Sequence, residues 1–229
     1  MPTILALETS TEIASAALLC GDRLIARESS GVRTHSQTIL PMVQSLLEQA
    51  GITLAQCDAI AFGAGPGSFT GVRTACGITQ GLAFGADLPV IPIVTLQAMA
   101  QACRQTTGAS DVLAMLDARM GEIYWAQYRF SNGWNTVHEP ALSTASGIVL
   151  STEVTVCGNG FSVYSETMGT DRAMRLAQPE IMPHATHVAS LARLEFIANR
   201  TVAARDAQPI YLRNKVAMTT SERLARVTA

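Results

Sequence analysis

The chain has 229 residues, enough for one large domain or two small ones with a sizeable core. Its formal net charge is −2, so it lacks the global basic field that draws nucleic acid, and any contact with RNA has to be local or made through a partner. Apolar residues make up 48% and charged residues only 15%, a lean polar surface that points to apolar area covered by a partner.

In chain order, Ile4–Glu8, Ile13–Cys20 and Arg23–Glu28 read as three strands, with Gly21-Asp22 as a hairpin turn between the last two. The tip between the first two, Thr9-Ser10-Thr11-Glu12, is rich in hydroxyls. It reads as an ordinary polar loop or as a hairpin that holds phosphate. Gly31 to His35 reads as a linker, with His35 as a cap or surface residue. Ser36–Ala50 follows with Ile39, Leu40, Val43, Leu46, Leu47 and Ala50 at helical spacing, and Gly51 suits the position just past its end. Pro41 has to kink this helix or lie in its first turns.

The most informative stretch comes next. A short apolar run, Ala59–Phe62, leads into Gly63-Ala64-Gly65-Pro66-Gly67-Ser68-Phe69-Thr70-Gly71 and then a helix over Val72–Ala86, with Ser68 and Thr70 as caps. Strand, glycine-rich turn and helix can aim amides at an anion. The plainer reading is a tight turn that needs glycine for positive φ. No lysine follows the last glycine, so the spacing is not that of a P-loop. In the helix, Gly77, Gly81 and Gly85 share one face. Each glycine weakens the helix by about 1 kcal/mol relative to alanine. Such a stripe implies close packing, first against the chain's own core and otherwise against a second chain.

Pro89–Val94 reads as a strand and Thr95–Arg104 as a helix; the polar run 105–110 is the best boundary, dividing the chain into 1–106 and 107–229. Strand Val112–Asp117, tip Asp117-Ala118-Arg119-Met120-Gly121, strand Glu122–Phe130, turn Asn132-Gly133 and strand Trp134–Leu142 then repeat the opening unit. Val154–Cys157 leads into a second glycine-rich turn, Gly158-Asn159-Gly160. His184 and His187 invite a metal reading but lack a third ligand nearby; Thr186 looks like the cap of a helix over Val188–Asn199. Thr219–Ala229 reads as a frayed end. The five cysteines form no CxxC pair and read as small buried residues in a reducing compartment. With no leader pattern and no run of about 18 apolar residues, the chain is read as cytoplasmic and without membrane contact.

Ala6-Leu7-Glu8-Thr9-Ser10, His35-Ser36-Gln37 with Leu40-Pro41, the Gly65–Arg73 string, Asp117-Ala118-Arg119 and Tyr211-Leu212-Arg213 together resemble the TsaB (YeaZ) family. The resemblance spans Leu5 to Arg213 and implies the α/β actin-like ATPase (ASKHA) fold, two lobes with mixed sheets and flanking helices. It also implies a role in forming N6-threonylcarbamoyladenosine at position 37 of tRNAs that read ANN codons. There TsaC-type enzymes make the adenylate, TsaD transfers the group, and TsaB-type chains serve as partners together with the ATPase TsaE. Where TsaD-type chains carry a metal-binding His pair, this chain has Thr95 and Met99, neither able to replace imidazole. No catalytic residue, metal or cofactor is therefore expected; ATP or ADP binding stays open, as does the alternative of a peptidase or ATP-dependent enzyme. The implied partner interface lies on the two lobe-one helices, at Leu40, Val43, Leu47, Ala75, Gly77, Ile78, Gly81, Leu82 and Gly85. It would serve a heterodimer with TsaD and a homodimer in isolation, with tRNA met only through the complex. Thr9, Ser10, Gly65, Gly67, Ser68, Asp117 and Arg119 are the expected contacts for nucleotide or TsaE.

Overall fold

A computed structural model describes residues 1–30, 35–148, 154–168 and 177–213. The linker expected at 31–34 and the tail at 219–229 lie outside the described residues. The first sheet contains β1 (Thr3–Glu8), β2 (Ile13–Cys20), β3 (Arg23–Ser30), β4 (Ala59–Gly65) and β5 (Val90–Val94) in the order β3-β2-β1-β4-β5. Strands β1 and β2 pair antiparallel with Ala6 opposite Ala17; β1 and β4 pair parallel with Ala6 opposite Ala61. The central strands read as continuous apolar runs because both of their faces are covered. On one face, Leu5, Leu7, Ile60 and Phe62 pack beneath α1 (His35–Ala50) and α2 (Phe69–Ala86). On the other, Ala6, Ala17, Ala59 and Ala61 meet Ala185, Ala189 and Ala192 of a later helix in a small-on-small seam.

Between β5 and the second sheet runs α3 (Thr95–Thr107), closed by Gly108 at φ +78°. It is shared by the two halves. Leu96, Met99, Ala100 and Cys103 pack on the second sheet, while Ala98 joins the seam on the first. The second sheet contains β6 (Asp111–Asp117), β7 (Ile123–Phe130), β8 (Trp134–Ser143) and β9 (Thr155–Cys157), in the order β8-β7-β6-β9. This repeats the β3-β2-β1-β4 order of the first sheet, as the duplicated hairpin pattern in the sequence predicts. Its outer face is covered by α4 (Asn159–Met168) through Phe161 and Tyr164. The chain then returns, and α5 (Ala185–Ile197) supplies the alanine seam on the first sheet.

Several element ends differ from the sequence reading. His35 is the first residue of α1 rather than part of a linker, and its Nε2 lies 2.6 Å from the Thr11 carbonyl. Pro41 sits inside α1, beyond its opening turn. Helix α2 starts at Phe69, so Ser68 alone is its cap, accepting from the Gly71 amide at 3.4 Å, and Thr70 is already helical. The cap of α5 is His184, whose Nδ1 accepts from the Thr186 amide; Thr186 is inside the helix. All five cysteines are free thiols, four of them buried. Among the described residues no helix is long and apolar enough to cross a membrane.

Candidate functional site

The hairpin tip after β1 and the glycine-rich turn before α2 are pressed together. The Thr9 hydroxyl donates to the Gly71 carbonyl at 2.7 Å, and the Ser68 amide donates to the Ser10 carbonyl at 2.7 Å. A β-carbon at Gly71 would collide with the Thr9 carbonyl, and one at Gly63 with the Glu8 carboxyl group. These glycines permit close approach of chain to chain. Only Gly65, at φ +104°, needs the left-handed region within this turn. Thr9 and Ser10 thus form a buried joint, while Thr11 and Glu12 line the neighbouring cleft.

Glu8 is the chemical centre of the joint. It is fully buried; its Oε1 accepts from the Ser10 amide at 2.6 Å and its Oε2 from the Thr95 hydroxyl at 3.3 Å. Burial pushes its carboxyl above the usual range, against the hydrogen bonds from Ser10 and Thr95. Thr95 in turn accepts from the Gly65 amide at 3.1 Å. The side chain standing at the expected His position therefore ties the turn to Glu8. Met99 is fully buried in the cluster between α3 and the second sheet. This pair does not fit a divalent metal: a neutral hydroxyl already engaged and a soft thioether packed among apolar groups offer no hard donor set. Among the described residues, no three or more His, Cys, Asp or Glu side chains gather to hold an ion. His184 is engaged with Glu28 at 3.3 Å, and burial holds the neighbouring His187 down at about 4. Four amides of the joint, those of Ser10, Gly65, Ser68 and Gly71, are answered from within the chain, while the buried Ser10 hydroxyl has no partner among the described residues.

The joint forms one wall of a cleft of about 550 Å³, and the β6–β7 tip forms the other. Asp117 is held by three neighbours. Its Oδ1 accepts from the Arg119 amide at 2.8 Å and from the Tyr164 hydroxyl at 3.3 Å, and its Oδ2 pairs with the Arg119 guanidinium at 3.2 Å. Asn159, from the second glycine-rich turn, accepts from the Asp117 amide at 3.0 Å. The Arg119 side chain is 82% exposed. Of the residues expected to meet a nucleotide or TsaE, Ser10, Gly67, Ser68, Asp117 and Arg119 line this cleft; Thr9 is fully buried behind it and Gly65 is buried at the end of β4.

The outer faces of α1 and α2 form a second surface. Gly77, Gly81 and Gly85 are exposed, and among the described residues a β-carbon at any of them would meet nothing within 4 Å. The expectation that this stripe packs first against the chain's own core is overturned: the core lies on the opposite side, under Val72, Ala75, Cys76, Thr79 and Ala83. Val43 and Ala75, expected at the interface, are also buried in that core, because each falls on the sheet-facing side of its helix. Leu47, Ile78 and Leu82 are half-buried against it, and Leu40 is exposed. Phe84, which the sequence reading passes over, is 84% exposed beside the stripe. Its single signal in sequence is an aromatic on the glycine side of an otherwise small-residue helix.

Two mixed sheets that repeat one strand order, with a cleft between their hairpin tips, define a protein of the duplicated actin-like class. Comparison agrees: residues 25–221 match the family model described as "TsaD: tRNA N6-adenosine threonylcarbamoyltransferase". The chain is 41% identical to the tRNA threonylcarbamoyladenosine biosynthesis protein TsaB of Haemophilus influenzae, covering 93% of this chain and 94% of that one. It is 42% identical to TsaB of Escherichia coli, covering 93% and 96%. The solved structure of YeaZ from Pseudomonas aeruginosa superposes with a TM-score of 0.86 at 38% identity, covering 93% of this chain and all of that one. Within the TsaD-type class, the chain belongs to the TsaB (YeaZ) family of tRNA threonylcarbamoyladenosine biosynthesis proteins.

Proposed function

We propose that this chain is a non-catalytic subunit for forming N6-threonylcarbamoyladenosine at position 37 of tRNAs that read ANN codons. It acts by binding a TsaD-type transferase and, with TsaE, activating it. The observation that carries this reading is the exposed glycine stripe of α2. Three glycines on one face weaken a helix, and here none of the described residues uses the space they leave. A helix from a second chain would use it, since small residues let two backbones approach closely, with Phe84 and Leu40 as apolar flanks. Without the transferase, the same face serves a two-fold pair of this chain. Transfer chemistry and tRNA contact then belong to the partner, in keeping with the net charge of −2.

The test is a reconstituted reaction with TsaC, TsaD, TsaE, ATP, threonine, bicarbonate and tRNA, run with and without this chain. Modified tRNA only when the chain is present, and none from the chain with TsaC but without TsaD, supports the proposal. Product without the chain, or from the chain in the absence of TsaD, sinks it and leaves the enzyme alternative.

A further inference from the structure

The Tyr211-Leu212-Arg213 string has no role in the reading above, yet it occupies the mouth of the cleft. The segment leading to it is bound to the first half. The Ala207 carbonyl accepts from Gln80 Nε2 at 3.0 Å, and the Ile210 amide donates to the Ala64 carbonyl at 2.7 Å. Tyr211 then settles on the first turns of α2. Arg73 Nε donates to its hydroxyl at 2.8 Å, and the Arg73 guanidinium lies 3.5 Å from the Phe69 ring centroid and 5.4 Å from that of Tyr211. Two residues later the contacts change sheets. Arg213 Nη2 pairs with Glu122 Oε2 and donates to the Arg119 carbonyl at 3.4 Å, while Nη1 lies 3.9 Å from the Met120 sulfur. The Arg213 side chain is only 15% exposed, while its Glu122 partner is 36% exposed.

We propose that Tyr211–Arg213 is a latch that holds the β6–β7 tip against the α2 end of the first half, closing the cleft with the chain's own residues. At the back, the halves are joined by α3, whose two sides pack on different sheets. Across the front, the segment runs from the Arg73–Phe69 stack to the Glu122 carboxylate, so each end is anchored by a cation: Arg73 on Tyr211 and Arg213 on Glu122. At the second anchor the single nitrogen Nη2 serves both the Glu122 carboxylate and the Arg119 carbonyl.

Hydrogen exchange of the full chain, resolved by peptide, tests the latch in the wild type, R213A, E122A and the double variant. Each single variant is expected to raise exchange at 64–73 and 117–122 about five- to tenfold, leaving the α3 and α5 peptides unchanged. The double variant is expected to exchange no faster than either single one, since both remove the same link. Unchanged exchange at the two tips overturns the proposal. Additive effects also overturn it, because they show two independent contacts. A rise that extends through α3 and α5 does so as well, since Arg213 then supports the whole fold rather than a closure. R213K, which keeps the charge at this anchor, is expected to fall between wild type and R213A.

Discussion

Glu8 is a carboxyl group held in a place that favours its neutral form. In water it would titrate near 4.5; fully buried, it titrates higher. Between those two values the folded chain binds a proton that the unfolded chain has released. Its contribution is therefore complete below about pH 4.5 and is lost as pH rises through the folded value. Glu8→Gln removes the ionisable group and keeps an acceptor for the Ser10 amide; its amide nitrogen then donates to Thr95 Oγ1, which turns its own hydroxyl proton away. The variant is expected to be at least as stable as wild type at pH 8, with the difference vanishing near pH 4.5; urea denaturation across that range measures it. A wild type that gains stability relative to the variant as pH rises would contradict this. His187 works in the opposite direction. Burial lowers it from 6.5 to about 4, so its contribution is present above pH 6.5 and declines as pH falls through that window. The loss by pH 4 is on the order of 2 kcal/mol once partial exposure is allowed for. His187→Gln should flatten the acid limb of the stability profile while leaving the limb above pH 7 in place.

Helix α2 carries glycines with opposite duties, and one substitution separates them. At Gly77 the space is open and the backbone helical, so Gly77→Ala should stabilise the isolated chain by about 0.5–1 kcal/mol. At Gly71 the added methyl would strike the Thr9 carbonyl and force the hairpin tip away from the helix, so Gly71→Ala should destabilise by about 1–3 kcal/mol or more. Thermal melts of the two variants should move in opposite directions; shifts of the same sign would mean that one of the surroundings is wrong. This contrast also marks what the sequence could reveal. Strands, hairpins and the duplicated order were legible because short apolar runs and turns such as Gly21-Asp22 and Asn132-Gly133 are local signals. The duty of Gly71 was not, because its partner Thr9 is 62 positions away. The capping of α5 by His184 was missed because hydroxyl and carboxamide caps are the usual signal and Thr186 supplied a decoy. Thr95 could be recognised as a missing His, but its bridge between Glu8 and Gly65 required three distant segments to be placed together.

At the scale of the whole molecule, the proposed partner stripe and the cleft lie on two different surfaces. The stripe continues from Arg73 through Gly77, Gly81 and Gly85 at four-residue spacing, so a partner seated along it would end beside the Tyr211 stack. Association there depends on the absence of side chains, because each missing β-carbon lets the facing backbone come nearer. Gly81→Arg places a long charged side chain in the middle of that path without touching the chain's own core. The isolated variant should keep its fold and, free of a central glycine, melt no lower than wild type. Both self-association and binding to a TsaD-type chain should weaken by at least about 100-fold, since a charge in the centre of a close seam is neither paired nor solvated. Sedimentation measures the first and calorimetric titration with the transferase measures the second. Loss of the homodimer with the heterodimer intact would assign the stripe to self-association alone and move the transferase to another face. Unchanged affinity in both would remove the stripe from the interface and, with it, the observation on which the proposed function rests.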